Sequence, residues 1–220
     1  MICRAAVVLA ENIFYNQGQI CSAPSRVIVD ASIKARFVGL LKKECRKYIP
    51  ADPFDIKSDV GCVVSREQEE KIRHYIRAGI RDGAKMFAPR AAVKMHPRAC
   101  YVLPTVFEDV QVDSVIAQEE IFGPVVVVFA FNKIEDAVRI ANHSRFGLAA
   151  SIWTSDLDEA CDVSRRLQAG IVHINSYGDD DDTVPFGGIK ESGIGKDKSI
   201  FAFDEYSYLK TTWIRFNNIE

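Results

Sequence analysis

The stretch that most constrains this chain is "VVVVFAF", residues 125–131. Seven apolar residues in a row, β-branched at the start, present no polar face to water. As a strand the segment must therefore be covered on both sides. It is far too short to cross a bilayer, which takes about 20 apolar residues. Sheets with two covered faces are built from strands that alternate with helices, and the rest of the sequence supplies that alternation. "SRVIVD" (25–30), "ASIWTS" (150–155) and "GIVHIN" (170–175) are further short apolar runs, and "AKMFA" and "YVLPTVF" are strand-like pieces. Helical spacing of apolar residues marks 4–15, 31–48, 65–83, 134–142 and 156–168, with Phe37, Leu40, Leu41 and Cys45 on one face of the second. The third opens on Ser65 with Gln68 three residues on, a capping-box arrangement, and ends near Gly83. The predicted class is α/β, with a mainly parallel sheet and helices on both faces. The closing "YSYLKTTWIRF" carries large apolar residues on both alternating faces, which predicts a last strand at a subunit contact.

Composition narrows the function classes. A net charge of −2 leaves no basic footprint for nucleic acid or an anionic membrane. With 220 residues, 48% of them hydrophobic, the chain can bury a core without covalent staples. Its cysteines, at 3, 21, 45, 62, 100 and 161, form no CxxC pair or Cys/His cluster. Neither a disulfide framework nor a metal site is expected, and a reducing cytoplasm is the expected location. The first residues read as a helix and not a signal peptide, because Glu11 and Asn12 stand where small cleavage-site residues would be needed.

One cysteine differs from the rest. Cys21, in "NQGQICSAPSR", follows Gly18 and precedes Ser22, Ala23 and Pro24, which are turn residues. Backbone N–H groups in such a loop can favour a thiolate and hold a developing oxyanion. The alternative is a small buried thiol with no chemistry. The sequence pattern leaves both open.

Six ordered stretches resemble one family: "FYNQGQICSAPSRVIVD", "PTVFEDV", "EEIFGPVVVV", "NHSRFGLAASIWTSDLDEA", "LQAGIVHIN" and "VPFGGIKESGIGKD". Together they are similar to the NAD(P)-dependent aldehyde dehydrogenases. "TVPFGG", "GKDKS" and "LKTTWI" resemble the subgroup that acts on aminoaldehydes such as γ-glutamyl-γ-aminobutyraldehyde. The resemblance implies that Cys21 is the catalytic nucleophile, that Glu120 binds the nicotinamide ribose of NAD or NADP, and that Phe122 packs on the nicotinamide. It places Phe186 in the substrate tunnel. In "GDDDDTVPFGG", Asp180 and Asp181 either favour a cationic aldehyde or belong to a solvated loop with no task. Cys62, and the Ala-Cys pair at 99–100, depart from the family pattern without touching this chemistry.

The family's dinucleotide-binding domain, general-base glutamate and oxyanion-hole asparagine precede the cysteine, and nothing here resembles them; Asn16 is not that asparagine. The resemblance thus implies a catalytic domain over 1–205 and an oligomerisation strand over 206–220, in a homo-oligomer. Alone, the chain is expected to be inactive and to hold NAD or NADP weakly, and to work on its aldehyde with a complementary N-terminal half. The alternatives are a non-catalytic remnant or assembly partner, or a weak cysteine-dependent esterase.

Overall fold

Helices and strands fall close to where these periodicities put them in the computed structural model, which describes residues 1–90, 99–178 and 181–216. Helix α1 (Ile2–Phe14) runs into one 3-10 turn, and β1 (Arg26–Asp30), α2 (Lys34–Cys45) and α3 (Arg66–Arg81) follow. Strands β2 (Lys85–Phe87) and β3 (Thr105–Glu108) lead through a single helical turn, α4 (Val115–Gln118), to β4 (Val125–Phe131). Then come α5 (Ile134–Asn142), β5 (Phe146–Gly147), β6 (Ala149–Ile152), α6 (Leu157–Arg166) and β7 (Ile171–Ile174). The last elements are short, β8 (Ile189–Lys190) and α7 (Ala202–Glu205).

β4 is central. It pairs in parallel with β1, Arg26 opposite Val127, and in parallel with β3, Thr105 opposite Val125; β2 closes the far edge antiparallel. Its side chains alternate between two cores. Val126 and Val128 join Val29 and Val106 against α1 and α2, where Phe14, Phe37 and Leu41 are buried. Val125, Val127 and Phe129 join Phe107 on the other face, against Ile72 and Ala78 of α3, Ile116 of α4 and Ile140 of α5. The apolar run is thus covered on both faces, as its composition demands. Arg26 ties β1 to α5 by donating to the carbonyls of Ile140 (2.8 Å) and Ala141 (3.2 Å), a cation at a helix C-terminus.

Three features differ from the sequence-based expectation. The sheet comes in pieces. β6 pairs only with β7, in parallel, as a separate two-stranded sheet, and β5 pairs with β8 as another. The tail over 207–216 forms no strand, and Tyr208, Leu209, Trp213 and Phe216 stand in solvent. The capping box is half made: Ser65 Oγ accepts from the Gln68 N–H at 3.1 Å, while the Gln68 side chain points elsewhere. No helix among the described residues is long and apolar enough to cross a membrane.

Candidate active site

The loop carrying Cys21 is set by an unusual backbone. Asn16, Gln17 and Gly18 stand at φ of 46°, 58° and 69°, three left-handed residues in succession. Left-handed backbone costs a non-glycine residue about 1–2 kcal/mol, so neighbours must hold the turn. Gln19 supplies part of that: its Oε1 accepts from the Val64 N–H at 2.9 Å and its Nε2 donates to the Asn16 carbonyl at 3.2 Å. Gly18 supplies the rest by lying directly on Gly123, where an added Cβ would sit 2.2 Å from the carbonyl oxygen. Only glycine serves at position 18.

Gly123 belongs to "EEIFGP", so the cysteine loop and the Glu120–Phe122 loop are packed back to back. The second loop is anchored from α3, where Gln68 Nε2 donates to the carbonyls of Phe122 (2.7 Å) and Ile121 (3.1 Å). This use of Gln68 was invisible in the sequence, where its spacing from Ser65 pointed to the helix cap. Phe122 itself takes a φ of 55°.

Beyond this turn the chain enters a cavity of about 830 Å³ that Cys21 and Glu120 both line. Cys21 is exposed, and its N–H makes no hydrogen bond among the described residues. Glu120 is exposed and its carboxylate has no hydrogen bond or ion pair among the described residues. The adjacent Glu119 is committed, accepting from the Tyr75 hydroxyl at 2.6 Å. Burial, and then that bond, push the Tyr75 phenol up to about 12, so the phenol keeps its proton and goes on donating. On the far side Tyr177 donates its hydroxyl to the Ser22 carbonyl, and its ring lies 5.1 Å from that of His173 on β7. Tyr177 ties the cysteine loop to the β6–β7 pair; an isolated tyrosine after a strand gave no signal of this in the sequence.

The remaining sequence candidates fall elsewhere. Phe122 lines a separate pocket of about 390 Å³ with Asn16, Gln17, Gln19, Cys62 and Val64. Phe186 lines neither cavity; its backbone bridges Asp197, and Lys198 Nζ lies 5.9 Å from its ring centroid. Asp181 is spent on its own turn, accepting from the N–H and the hydroxyl of Thr183, each at 2.8 Å. These bonds, first the one from the backbone, lower its pKa. Asp182 pairs with Lys198 at 3.2 Å. Asp180 lies outside the described residues. The other thiols offer little competition: Cys45 is fully buried and burial pushes it up to about 12. Cys3, on the first turn of α1, is the other exposed thiol among the described residues.

An exposed thiol with an uncommitted amide beside it and a carboxylate without a partner among the described residues line one cavity, and comparison with known proteins shows which family the chain belongs to. Residues 2–212 match the Aldehyde dehydrogenase family, and the chain belongs to that family. It is 42% identical over 211 residues to the NADP/NAD-dependent aldehyde dehydrogenase PuuC of Escherichia coli K12, covering 96% of this chain and 42% of that protein. The crystal structure of gamma-glutamyl-gamma-aminobutyraldehyde dehydrogenase from Burkholderia cenocepacia is 46% identical, with a TM-score of 0.91 over 96% of this chain and 43% of its own. The indole-3-acetaldehyde dehydrogenase AldA of P. syringae, solved with NAD+ and IAA, is 42% identical with a TM-score of 0.93, over 98% and 44%. The chain therefore spans less than half the length of each relative.

Proposed function

We propose that this chain is the thiol-bearing half of an aldehyde dehydrogenase, and that it oxidises an aldehyde to a carboxylic acid only when joined by the remainder of such an enzyme. The observation that carries this is the exposed Cys21, with its free N–H, sharing a cavity with Glu120. The Cys21 thiolate adds to the aldehyde carbon, and its own N–H holds the oxygen that becomes negative. A bound nicotinamide dinucleotide supplies one thing, the acceptor for the hydride that the thiohemiacetal gives up. That leaves a thioester on Cys21. Water then adds to the thioester carbon, the C–S bond breaks, and the acid leaves with the thiolate restored.

The residues present fit one end of a dinucleotide. Glu120, with both carboxylate oxygens free among the described residues, suits the ribose hydroxyls, whereas Phe122 lines the separate pocket and only the resemblance puts it against the nicotinamide. They do not make a pyrophosphate cradle. The glycine-rich stretch 187–195 is used up in pairing β8 with β5, with Lys196 Nζ on the Gly188 carbonyl at 2.6 Å and Ser192 Oγ on the Gly147 N–H at 3.0 Å. It opens no helix of useful length, which is what phosphate binding needs. Tight binding of NAD or NADP thus requires groups that these residues do not supply.

Aminoaldehydes are the finer reading of the substrate, supported by the name of the Burkholderia enzyme. The bonds of Asp181 to Thr183 favour a loop-shaping role for that carboxylate over one in reading charge. The solvent-exposed apolar tail over 206–216 supports self-association through that segment, and the free thiols support a cytoplasmic location.

The test is a competition among thiols. With limiting iodoacetamide at neutral pH, peptide mapping should find Cys21 modified first, ahead of Cys3, with Cys45 untouched until the protein unfolds. Faster modification of Cys3 would remove the claim that the loop activates its thiol.

A further inference from the structure

Two acids stand side by side, Glu119 and Glu120, and both border the larger cavity, yet only the second has its carboxylate uncommitted. The first is fixed from α3. Three residues of that helix, Gln68, Ile72 and Tyr75, stand at i, i+4 and i+7, which makes them one stripe of its surface. Each meets a different point of the segment 119–123. Gln68 Nε2 donates to the carbonyls of Phe122 and Ile121. Ile72, fully buried, lies so close to Gly123 that an added Cβ there would sit 2.6 Å from its Cδ1. Tyr75 donates its hydroxyl to Glu119 Oε2 at 2.6 Å. Glu120 lies between these three grips.

From this stripe we infer that Tyr75 is a positioning residue for Glu120: its hydroxyl holds the carboxylate of Glu119, so that Glu120 alone presents a free carboxylate to the cavity. The backbone agrees. Glu119 is extended, at φ −107° and ψ 155°, and successive side chains of an extended segment point to opposite sides. With Glu119 drawn toward α3, Glu120 is turned the other way. The segment cannot slide to exchange the two, because Gly123 is held between Ile72 on one side and Gly18 on the other.

Packing alone does not account for a tyrosine at position 75. The side chain is buried, and phenylalanine would fill the same space; the hydroxyl is what Glu119 uses. Two free carboxylates side by side would repel each other and compete for the same pair of ribose hydroxyls. Committing one of them leaves those hydroxyls a single seat. This rests on the reading that Glu120 holds the ribose of the dinucleotide, and it adds how that acid is chosen over its neighbour.

The experiment labels carboxylates of the whole chain with limiting carbodiimide and a small amine, and maps the products by tandem mass spectrometry, which separates Glu119 from Glu120. Both acids are exposed, so a contrast in rate comes from the hydrogen bond and not from burial. Glu120 should react at least about threefold faster than Glu119 in the wild type, and Tyr75→Phe, which keeps the ring, should make the two rates about equal. A tyrosine that only packs the core would leave both rates as they were, so an unchanged ratio in the variant overturns the inference. Equal rates in the wild type overturn it too, and that comparison stands even if the variant folds poorly. The labelling is then repeated with millimolar nicotinamide mononucleotide, which carries the nicotinamide ribose without the pyrophosphate. It should shield Glu120 alone in the wild type, and both acids in Tyr75→Phe. Shielding of Glu120 alone in the variant would mean that the hydroxyl selects nothing. Shielding of neither acid in the wild type counts against the ribose reading of Glu120, while the ratio of rates still decides for or against Tyr75.

Discussion

The four-stranded sheet and the β6–β7 pair are built from the same kind of residue and end in different states. In β4, Val125 to Val128 are each at most 1% exposed. In β6 and β7 no residue is fully buried, and Ile174 is 39% exposed. "VVVV" and "IVHI" both lie between helices, and apart from His173 both are wholly β-branched. What differs is company. β4 has a strand on each edge and a helical layer on each face, whereas the β6–β7 pair is open along both outer edges. Apolar sequence makes a strand; neighbours on all sides make a core.

The largest effect should come from cutting into each region equally. Val127, 1% exposed in β4, should cost about 2–4 kcal/mol when replaced by alanine. Val172→Ala, in the half-covered pair, should cost roughly 1 kcal/mol or less. Urea unfolding of the two variants decides; equal losses would erase the distinction. The cysteine loop belongs energetically to the well-packed side, because Gly18 rests on Gly123 at the entrance to β4. Gly18→Ala combines left-handed backbone with a 2.2 Å collision and should cost about 3 kcal/mol. It should also slow modification of Cys21. A loss confined to Cys21 reactivity would place the loop outside the core's cooperative unit.

The smallest effect concerns charge. Asp109 joins Lys34 of α2 (2.8 Å) and Lys85 of β2 (2.7 Å), and the hydrogen bonds from those lysines hold its carboxyl down to about 2. An unfolded aspartate titrates near about 3.9, so the folded pKa is the lower one. The contribution is therefore full above about pH 4 and disappears as pH falls toward about 2. The stability difference between the wild type and Asp109→Asn should be flat at neutral pH and close over that window. It should be small, since both ion pairs stand in solvent. A large difference would mean that charge, and not packing, orders the edge of the four-stranded sheet.

Most of this fold is legible in periodicity, because periodicity is a local signal. Val125–Phe131, the α3 stop beside Gly83 and the α6 start at Asp156, whose side chain accepts from the Glu159 N–H at 3.0 Å, are all written in adjacent residues. The candidate site was legible in part: Cys21 and Glu120, about 100 residues apart, line one cavity, but only the family resemblance linked them. Gln68, Tyr177 and the two-residue β5–β8 pairing were not legible, since each depends on a partner distant in sequence. The break in the sheet was not legible either. A strand's missing neighbour leaves no mark on the strand itself.

The register of the central ladder has a consequence in time. Arg26 pairs with Val127, and Tyr177 reaches back to Ser22 across 155 positions. At a synthesis rate of about 5–20 residues per second, β1 waits roughly 5–20 s for its partner, and the cysteine loop roughly 8–30 s for its tyrosine. Throughout that interval a β-branched segment leaves the ribosome with both edges bare, which is the condition under which nascent strands find the wrong neighbour. The cysteine loop is thus completed at the end of folding and not the beginning, and a ribosome stalled before Tyr177 would release a chain whose loop had never been tied down.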